Sequence, residues 1–530
     1  MLMKRYSRRI AVFMAVFSFV ALYVVAGFLV SVRYPKTSDQ AGYFIAGHQL
    51  AQGDVLLRNW ILTAPDFWTS DIPLSALLSF FWKIAGHPGI SPLLLQIQPV
   101  LMWTALVLSG LWFVFHYVAS VRGRVGGALV IMASLGVPLL RSPIAYFVTL
   151  SAIHMGSILY AVWAFYFSDR FLKSSRPVDL FLTFLLLFLG TIGDPLLLVI
   201  GILPLFIYGF LSAIRFCKAT WLREVALAAG SLSAAGGASL VLVLVQRSGG
   251  FIREQLQPHF VQWDDLGRNI SVSLHGVFLV FGATPFGRIP SDAIPEIVRT
   301  LLLCVCAFSV IGVFIRTSGE RKRSSRGCVF LCLLLMASGL DFLSLILSDR
   351  LSFEMNGLAG ARYLFPLWVC LTFVAALLVG KRWAVMALAG AVLFTSVPAD
   401  IATLRSLPVG MLRYYDVPLL KDLMATESGA IGVGSWWTSL NLEAASGGRL
   451  RVLPGISDSS GRIVPLVHIH EGFDFDELKH RKFFVLLPDR TPTYGEKDVL
   501  GTFGPPLSRI RSGENTVFFY DMSKQHHKGE

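Results

Sequence analysis

A polytopic α-helical membrane protein of about eleven transmembrane helices, with a small external C-terminal α/β domain, is the fold class predicted by the 530-residue sequence. Three observations carry that expectation. Hydrophobic residues make up 54% of the chain and charged residues 15%. A soluble domain carries about a quarter of its residues as Asp, Glu, Lys or Arg, so this chain lacks the charge to cover a water-facing surface of its size. Apolar runs of about 20 residues, enough to cross a bilayer core, recur along most of the chain. The formal charge of +13 is also uneven, with +14 on residues 1–397 and −1 on residues 398–530. A nucleic-acid reader would carry its basic excess on a soluble module. Here the excess sits wholly in the apolar part, which argues against nucleic acid as a partner.

The expected spans lie near 10–32, 92–118, 125–140, 144–167, 179–193, 195–214, 224–245, 296–315, 327–348, 362–380 and 383–399. The first follows MLMKRYSRR and is longer than the apolar core of a signal peptide, with no small-residue cleavage site before Tyr34; it reads as an uncleaved helix. Lys and Arg in short loops mark the cytoplasmic side. With the N-terminus inside, 19 of the 31 basic residues of this part fall in alternate loops: Lys4, Arg5, Arg8 and Arg9, then Arg122 and Arg124, and so on to Lys381 and Arg382. An odd number of spans then places the tail outside. The expected domains are a transmembrane part, 1–399, with external loops at 33–91 and 246–295, and an extracytoplasmic α/β domain, 400–530.

Within the external loops, 72–86 and 271–288 are apolar but short, as expected of interfacial or re-entrant segments. The tail alternates strand-like runs at 431–437, 449–454, 482–488 and 516–521 with Gly, Pro, Asn and Asp turns, and 421–429 has helical spacing. None of the six cysteines lies in the tail, and no disulfide framework or CxxC metal site is suggested.

Ionisable groups beside a membrane-embedded core are costly and therefore mark function. The first external loop concentrates them: Asp39, His48, Asp54, Arg58, Asp66 and Asp71. A helix is expected from Ser38, with Ser38 or Asp39 as its N-cap. Asp39 reads equally as that cap or as a general base, because a hydroxyl acceptor needs a carboxylate within hydrogen-bond reach to take its proton.

The carrying residues Asp39, Tyr43, Gly53 and Asp54 in SDQAGYFIAGHQLAQGD, His154 in LSAIHMG, Asp194 in TIGDPLLL, and Arg362 and Tyr363 in GARYLFP stand in a layout of one cytoplasm-initiated helix, an acidic external loop, many spans and an external tail. That layout resembles the GT-C superfamily of polyprenyl-phosphate-sugar-dependent glycosyltransferases, of bacterial type. The resemblance implies inverting transfer of a sugar from a polyprenyl-phosphate donor to a cell-envelope glycan, lipid or protein, at the outer face of the bacterial inner membrane. Asp39 would be the base. Asp54, Asp66, Asp71 and Asp194 would position the acceptor or act as a second carboxylate. A departing phosphate needs cations, for which Arg362, Tyr363, His154, Arg58 and Arg288 are the candidates. The acidic pair usual after the first helix stands here as Asp39-Gln40, and no metal ligand is assigned.

Other readings remain beside these. Arg362 and Tyr363 could be interfacial anchors, His154 a satisfied buried histidine, and Asp194 a helix cap ahead of Pro195. His468, His470 and Glu471 read as a surface strand rather than a metal site, and Trp436 and Trp437 as either sugar platforms or core at a strand end. The rival function is a lipid-linked glycan transporter or flippase; an inactive GT-C-like membrane protein is the third.

Overall fold

The computed structural model describes residues 2–87, 89–150, 152–215, 221–254, 259–317, 327–349, 360–379, 381–413, 417–425, 431–478, 481–488 and 492–522. Of the basic run 316–327, which is read as a topology signal, residues 318–326 lie outside the described residues, as does Arg350. The protein is mostly helical, at 68%. It folds as two compact units: residues 1–30, 99–243 and 256–408 form the first, and residues 31–98, 244–255 and 409–530 the second. The stretch 33–91 falls in the same compact unit as the tail.

Among the described residues six helices are long and apolar enough to cross a membrane: Pro92–Tyr117, Trp221–Arg247, Ile294–Ile315, Cys328–Leu347, Gly360–Leu378 and Trp383–Ser406. Two expected spans are shorter apolar helices, Pro177–Gly193 and Leu198–Ile214, and the first expected span lies in the 30-residue helix Leu2–Ser31, of which Val16–Ser31 is apolar. The remaining two are interrupted. The run expected at 125–140 is an α-helix only over Val121–Ile131 and continues as a π-helix, Met132–Gly136. Two of that π-turn's carbonyls are taken by side chains, Leu135 by Trp103 Nε1 (3.2 Å) and Gly136 by the Tyr23 hydroxyl (2.9 Å). The expected span 144–167 breaks into Pro143–Val148 and Met155–Ser174. Composition did not reveal that break, because the residues on both sides of it are apolar. Aromatic packing fixes the core of this unit, with Trp368 stacked on Trp103 at 5.4 Å and its indole N–H on Ser134 Oγ (3.0 Å).

The second unit holds two sheets. One is six-stranded, in the order β5-β4-β3-β7-β9-β8, built from β3 (Ile431–Ser435), β4 (Arg451–Ser457), β5 (Ile463–Pro465), β7 (Lys482–Pro488), β8 (Ser508–Ser512) and β9 (Asn515–Asp521). Strands β4, β3 and β7 are parallel. Every residue of β3 is buried, as a strand covered on both faces requires. The expected strand at 431–437 ends two residues early. The chain turns at Ser435 into a helix, Trp436–Ala445, which crosses over to the parallel β4.

The other sheet is small but joins three distant segments. Strand β1 (Trp60–Leu62) pairs in parallel with β2 (Ile252–Arg253) and antiparallel with β6 (His470–Glu471). Helices Ser38–Ala51 and Asp71–Ile84 pack on one another, and Gly47 lets them approach: a Cβ there would collide with Ser75 Cβ. The second of these helices is the segment expected to be interfacial. The other interfacial expectation, in the first unit, is a helix over Leu266–Val280.

Candidate functional site

In the first unit the break at 149–154 builds a polar group. Ala152 and His154 both adopt left-handed backbone, with φ of 57° and 69°. Such residues are sparsely populated for non-glycine side chains and gather where surroundings hold them in place. His154 thereby precedes the helix Met155–Ser174, and its Nδ1–H donates to Asp194 Oδ2 at 2.6 Å. Asp194 ends the helix Pro177–Gly193. Its Oδ1 accepts the Leu196 N–H (2.9 Å), and its Oδ2 also receives the Ser157 hydroxyl. One oxygen of Asp194 thus caps the chain ahead of the following helix, and the other holds the imidazole of His154. The His154 ring lies 5.3 Å from that of Tyr363. The Arg362 guanidinium stands 5.0 Å over the Tyr363 ring and 3.3 Å from its hydroxyl. His154 and Asp194 are buried, whereas Arg362 and Tyr363 are half-buried. Four residues chosen from three sequence stretches thus form one line, from a buried carboxylate to a half-buried guanidinium.

Arg288 is not part of that line. It lies 3.5 Å from Glu296, a buried carboxylate that also receives Arg141. A buried carboxylate without such cations would be costly, so this Arg288 contact is structural.

In the second unit the helix Ser38–Ala51 is preceded by Thr37, and the Gln40 amide oxygen accepts from the Thr37 N–H (3.0 Å) and hydroxyl (2.6 Å). The expectation that Ser38 or Asp39 caps this helix is corrected: Thr37 and Gln40 do so. The half-buried Asp39 carboxylate instead accepts the indole N–H of Trp436 at 3.1 Å. Tyr43, one turn on, donates to the Pro65 carbonyl (2.9 Å) and contacts the Thr63 hydroxyl. Burial, together with the charges of Asp39, Asp66 and Asp71, pushes its phenol well above the usual range.

The other loop carboxylates have local work. Asp54 accepts the Arg58 N–H (2.9 Å) in the turn after Gly53, and the Arg58 side chain is exposed. Asp66, fully buried, caps the Trp68 N–H (2.9 Å) and faces Arg253 at 3.6 Å. Asp71 opens its helix and receives Gln98 Nε2 and Ser70 Oγ, each at 3.1 Å.

Sequence reasoning passed over Glu254 and set His468 aside as part of a surface strand. Glu254 accepts from His468 Nδ1 at 2.7 Å, and the His468 ring packs edge-on against Trp436 at 5.0 Å. Burial opposes the charged form of His468, but the Glu254 hydrogen bond and the charges of Glu254 and Asp39 outweigh it, so the imidazole titrates above its ordinary value. His470, two residues on, behaves oppositely: it is buried, and desolvation pushes it down to about 4. The expected surface strand of alternating histidines is therefore corrected, with Ile469 at φ 50° between an imidazole that favours its charge and one that does not. The signal that could have located the His468 site is the pairing of β1 with β2 and β6, which no local pattern contains. Among the described residues no group of three or more His, Cys, Asp or Glu is placed to hold a metal ion. Scanned against protein-family models the chain matches none, and a search of curated proteins finds no match.

Proposed function

We propose that this membrane protein is an inverting glycosyltransferase of GT-C type, taking a sugar from a polyprenyl-phosphate donor at the extracytoplasmic face of the bacterial inner membrane. In this reading the N-terminus is cytoplasmic, the chain crosses about eleven times and the tail is extracytoplasmic. Asp39 takes the proton of an acceptor hydroxyl on a cell-envelope glycan, lipid or protein. The hydroxyl oxygen forms the new bond to the anomeric carbon as the bond to the phosphate oxygen breaks. Polyprenyl phosphate leaves with the electron pair, and the guanidinium of Arg362, with Tyr363 and His154, meets its charge.

The observation that carries this reading is the convergence of His154, Asp194, Tyr363 and Arg362. An imidazole oriented by a buried carboxylate beside a half-buried guanidinium is a donor set suited to a phosphate oxygen. A transporter reading draws on a different observation, the helix interruptions at 132–136 and 149–154, which discontinuous transporter helices share. The deciding experiment supplies a panel of radiolabelled polyprenyl-phosphate sugars to the protein in membranes. Transfer by the wild type and a fall of at least about 100-fold in Asp39→Asn, with expression unchanged, are expected. Donor translocation without transfer favours the transporter, and full activity in Asp39→Asn removes Asp39 from the mechanism.

A further inference from the structure

Asp39, Glu254, Trp436 and His468 come from four stretches of chain and meet within the second unit. The β2-β1-β6 sheet brings the stretches of Glu254 and His468 together, and Gly42 sets the spacing of the helix bearing Asp39 against them. A Cβ at Gly42 would lie 2.6 Å from the Ile469 carbonyl and 3.1 Å from Leu440. The helix bearing Asp39 thus rests directly on the backbone beside His468 and on the helix bearing Trp436.

We propose that His468, anchored by Glu254, is a positioning residue that acts through the Trp436 indole to hold the Asp39 carboxylate in the orientation a base requires. This role rests on the glycosyltransferase reading of Asp39. An indole offers one donor, and in Trp436 that donor goes to Asp39 while the ring is buried. Its ring contact on the side of His468 is an edge-on packing, so the Glu254–His468 bond limits how far the indole can turn. A base must sit within hydrogen-bond reach of its proton, and a small misplacement is costly in rate.

An imidazole suits this place better than an apolar ring. The charged groups that act on it are Glu254, from the stretch after β2, and Asp39, from the helix Ser38–Ala51. His470, which begins β6 two residues on, turns instead to Trp60 and Phe473. A protonated His468, bonded to Glu254 and within electrostatic reach of Asp39, therefore favours the ionised form of Asp39, the form that accepts a proton. The sign follows: activity declines as pH rises past the His468 midpoint, where that positive charge is lost.

The test uses the full chain in lipid nanodiscs with a polyprenyl-phosphate sugar found to be a donor. Trp436→Phe and His468→Gln are expected to lower kcat about tenfold or more, the worth of a hydrogen bond to a charged group, with KM for the donor unchanged. Glu254→Gln is expected to move the alkaline limb of the pH–rate profile to lower pH, which loss of packing alone would not do. In ¹³C-histidine NMR, with His468→Gln to assign the signal, Asp39→Asn is expected to lower the His468 midpoint. Wild-type kcat in Trp436→Phe or His468→Gln, or an unmoved limb in Glu254→Gln, overturns the proposal while Asp39→Asn remains inactive. A wild type inactive with every donor, or a fully active Asp39→Asn, overturns the reading of Asp39 as base instead. The NMR arm then stands alone, and an unmoved midpoint overturns the coupling between the two side chains as well.

Discussion

Asp39 can reach across to Trp436 because its neighbours cap the helix. Thr37 and Gln40 satisfy each other at the helix start, which leaves the carboxylate to a partner 397 residues away. His154 shows a similar separation of backbone duty from side-chain chemistry. Its left-handed conformation suits Asn better than most residues, so His154→Asn is expected to keep the fold while removing the imidazole. Its melting temperature should stay within a few degrees of wild type, and donor binding, measured by titration with a polyprenyl-phosphate sugar, should weaken. His470 supplies a stability test. Its folded pKa of about 4 lies below the ordinary 6.5, so the unfolded chain takes up its proton first as pH falls. The contribution is full above pH 6.5 and is lost progressively down to about pH 4, a change of about 3 kcal/mol. Melting of the wild type at pH 7 and pH 4.5 should differ more than melting of His470→Gln at the same two pH values.

The helix Asp71–Ile84 inverts the usual arrangement of a water-soluble helix. Asp71, Ser75, Ala76 and Ser79 are buried with Ile72, while Leu77, Phe80, Phe81 and Ile84 are exposed. Small polar residues pack inward because the neighbouring helix comes close at Gly47. Large apolar ones face out, as an interfacial helix requires. A nitroxide at position 81 in a cysteine-free background is expected to be more accessible to oxygen than to a water-soluble nickel complex in EPR power saturation; the reverse would place this face in water. The helix itself was legible in the sequence as a short apolar run, and its place at the interface is the expectation the nitroxide tests. The six helices long and apolar enough to cross a membrane were legible because hydrocarbon thickness demands an apolar length. The break at 149–154 was not, because it depends on the hydrogen bonds that Asp194 makes to His154 and Ser157, 40 and 37 residues away. Trp436 was misplaced as a strand end because Ile431 and Val433 set a strand pattern that nothing apolar interrupts at Ser435.

The six-stranded sheet carries its own apolar core, with Val433, Phe483, Val485, Phe518 and Tyr520 on one side and Val452, Phe484, Leu486 and Val517 on the other. All of these residues come from the tail, so an isolated 409–530 fragment is expected to keep its sheet in far-UV circular dichroism. The helix Trp436–Ala445 would lose the cover of Ser38–Ala51, and its amides should exchange faster in the fragment than in the full chain. The candidate residues were legible as chemical types but not as a set. Asp39 and Asp194 stood out by their position beside apolar runs, whereas Glu254 and His468 acquire meaning only through strand pairings that close loops of hundreds of residues. Such pairings also impose a timetable on biogenesis. A ribosome adds about 5 to 20 residues per second, so the 397 residues from Asp39 to Trp436 take about 20 to 80 s to make. Throughout that interval the nascent chain displays Asp39 without the indole that steadies it, and the activity proposed here is expected to be absent from every truncation product that stops before the tail.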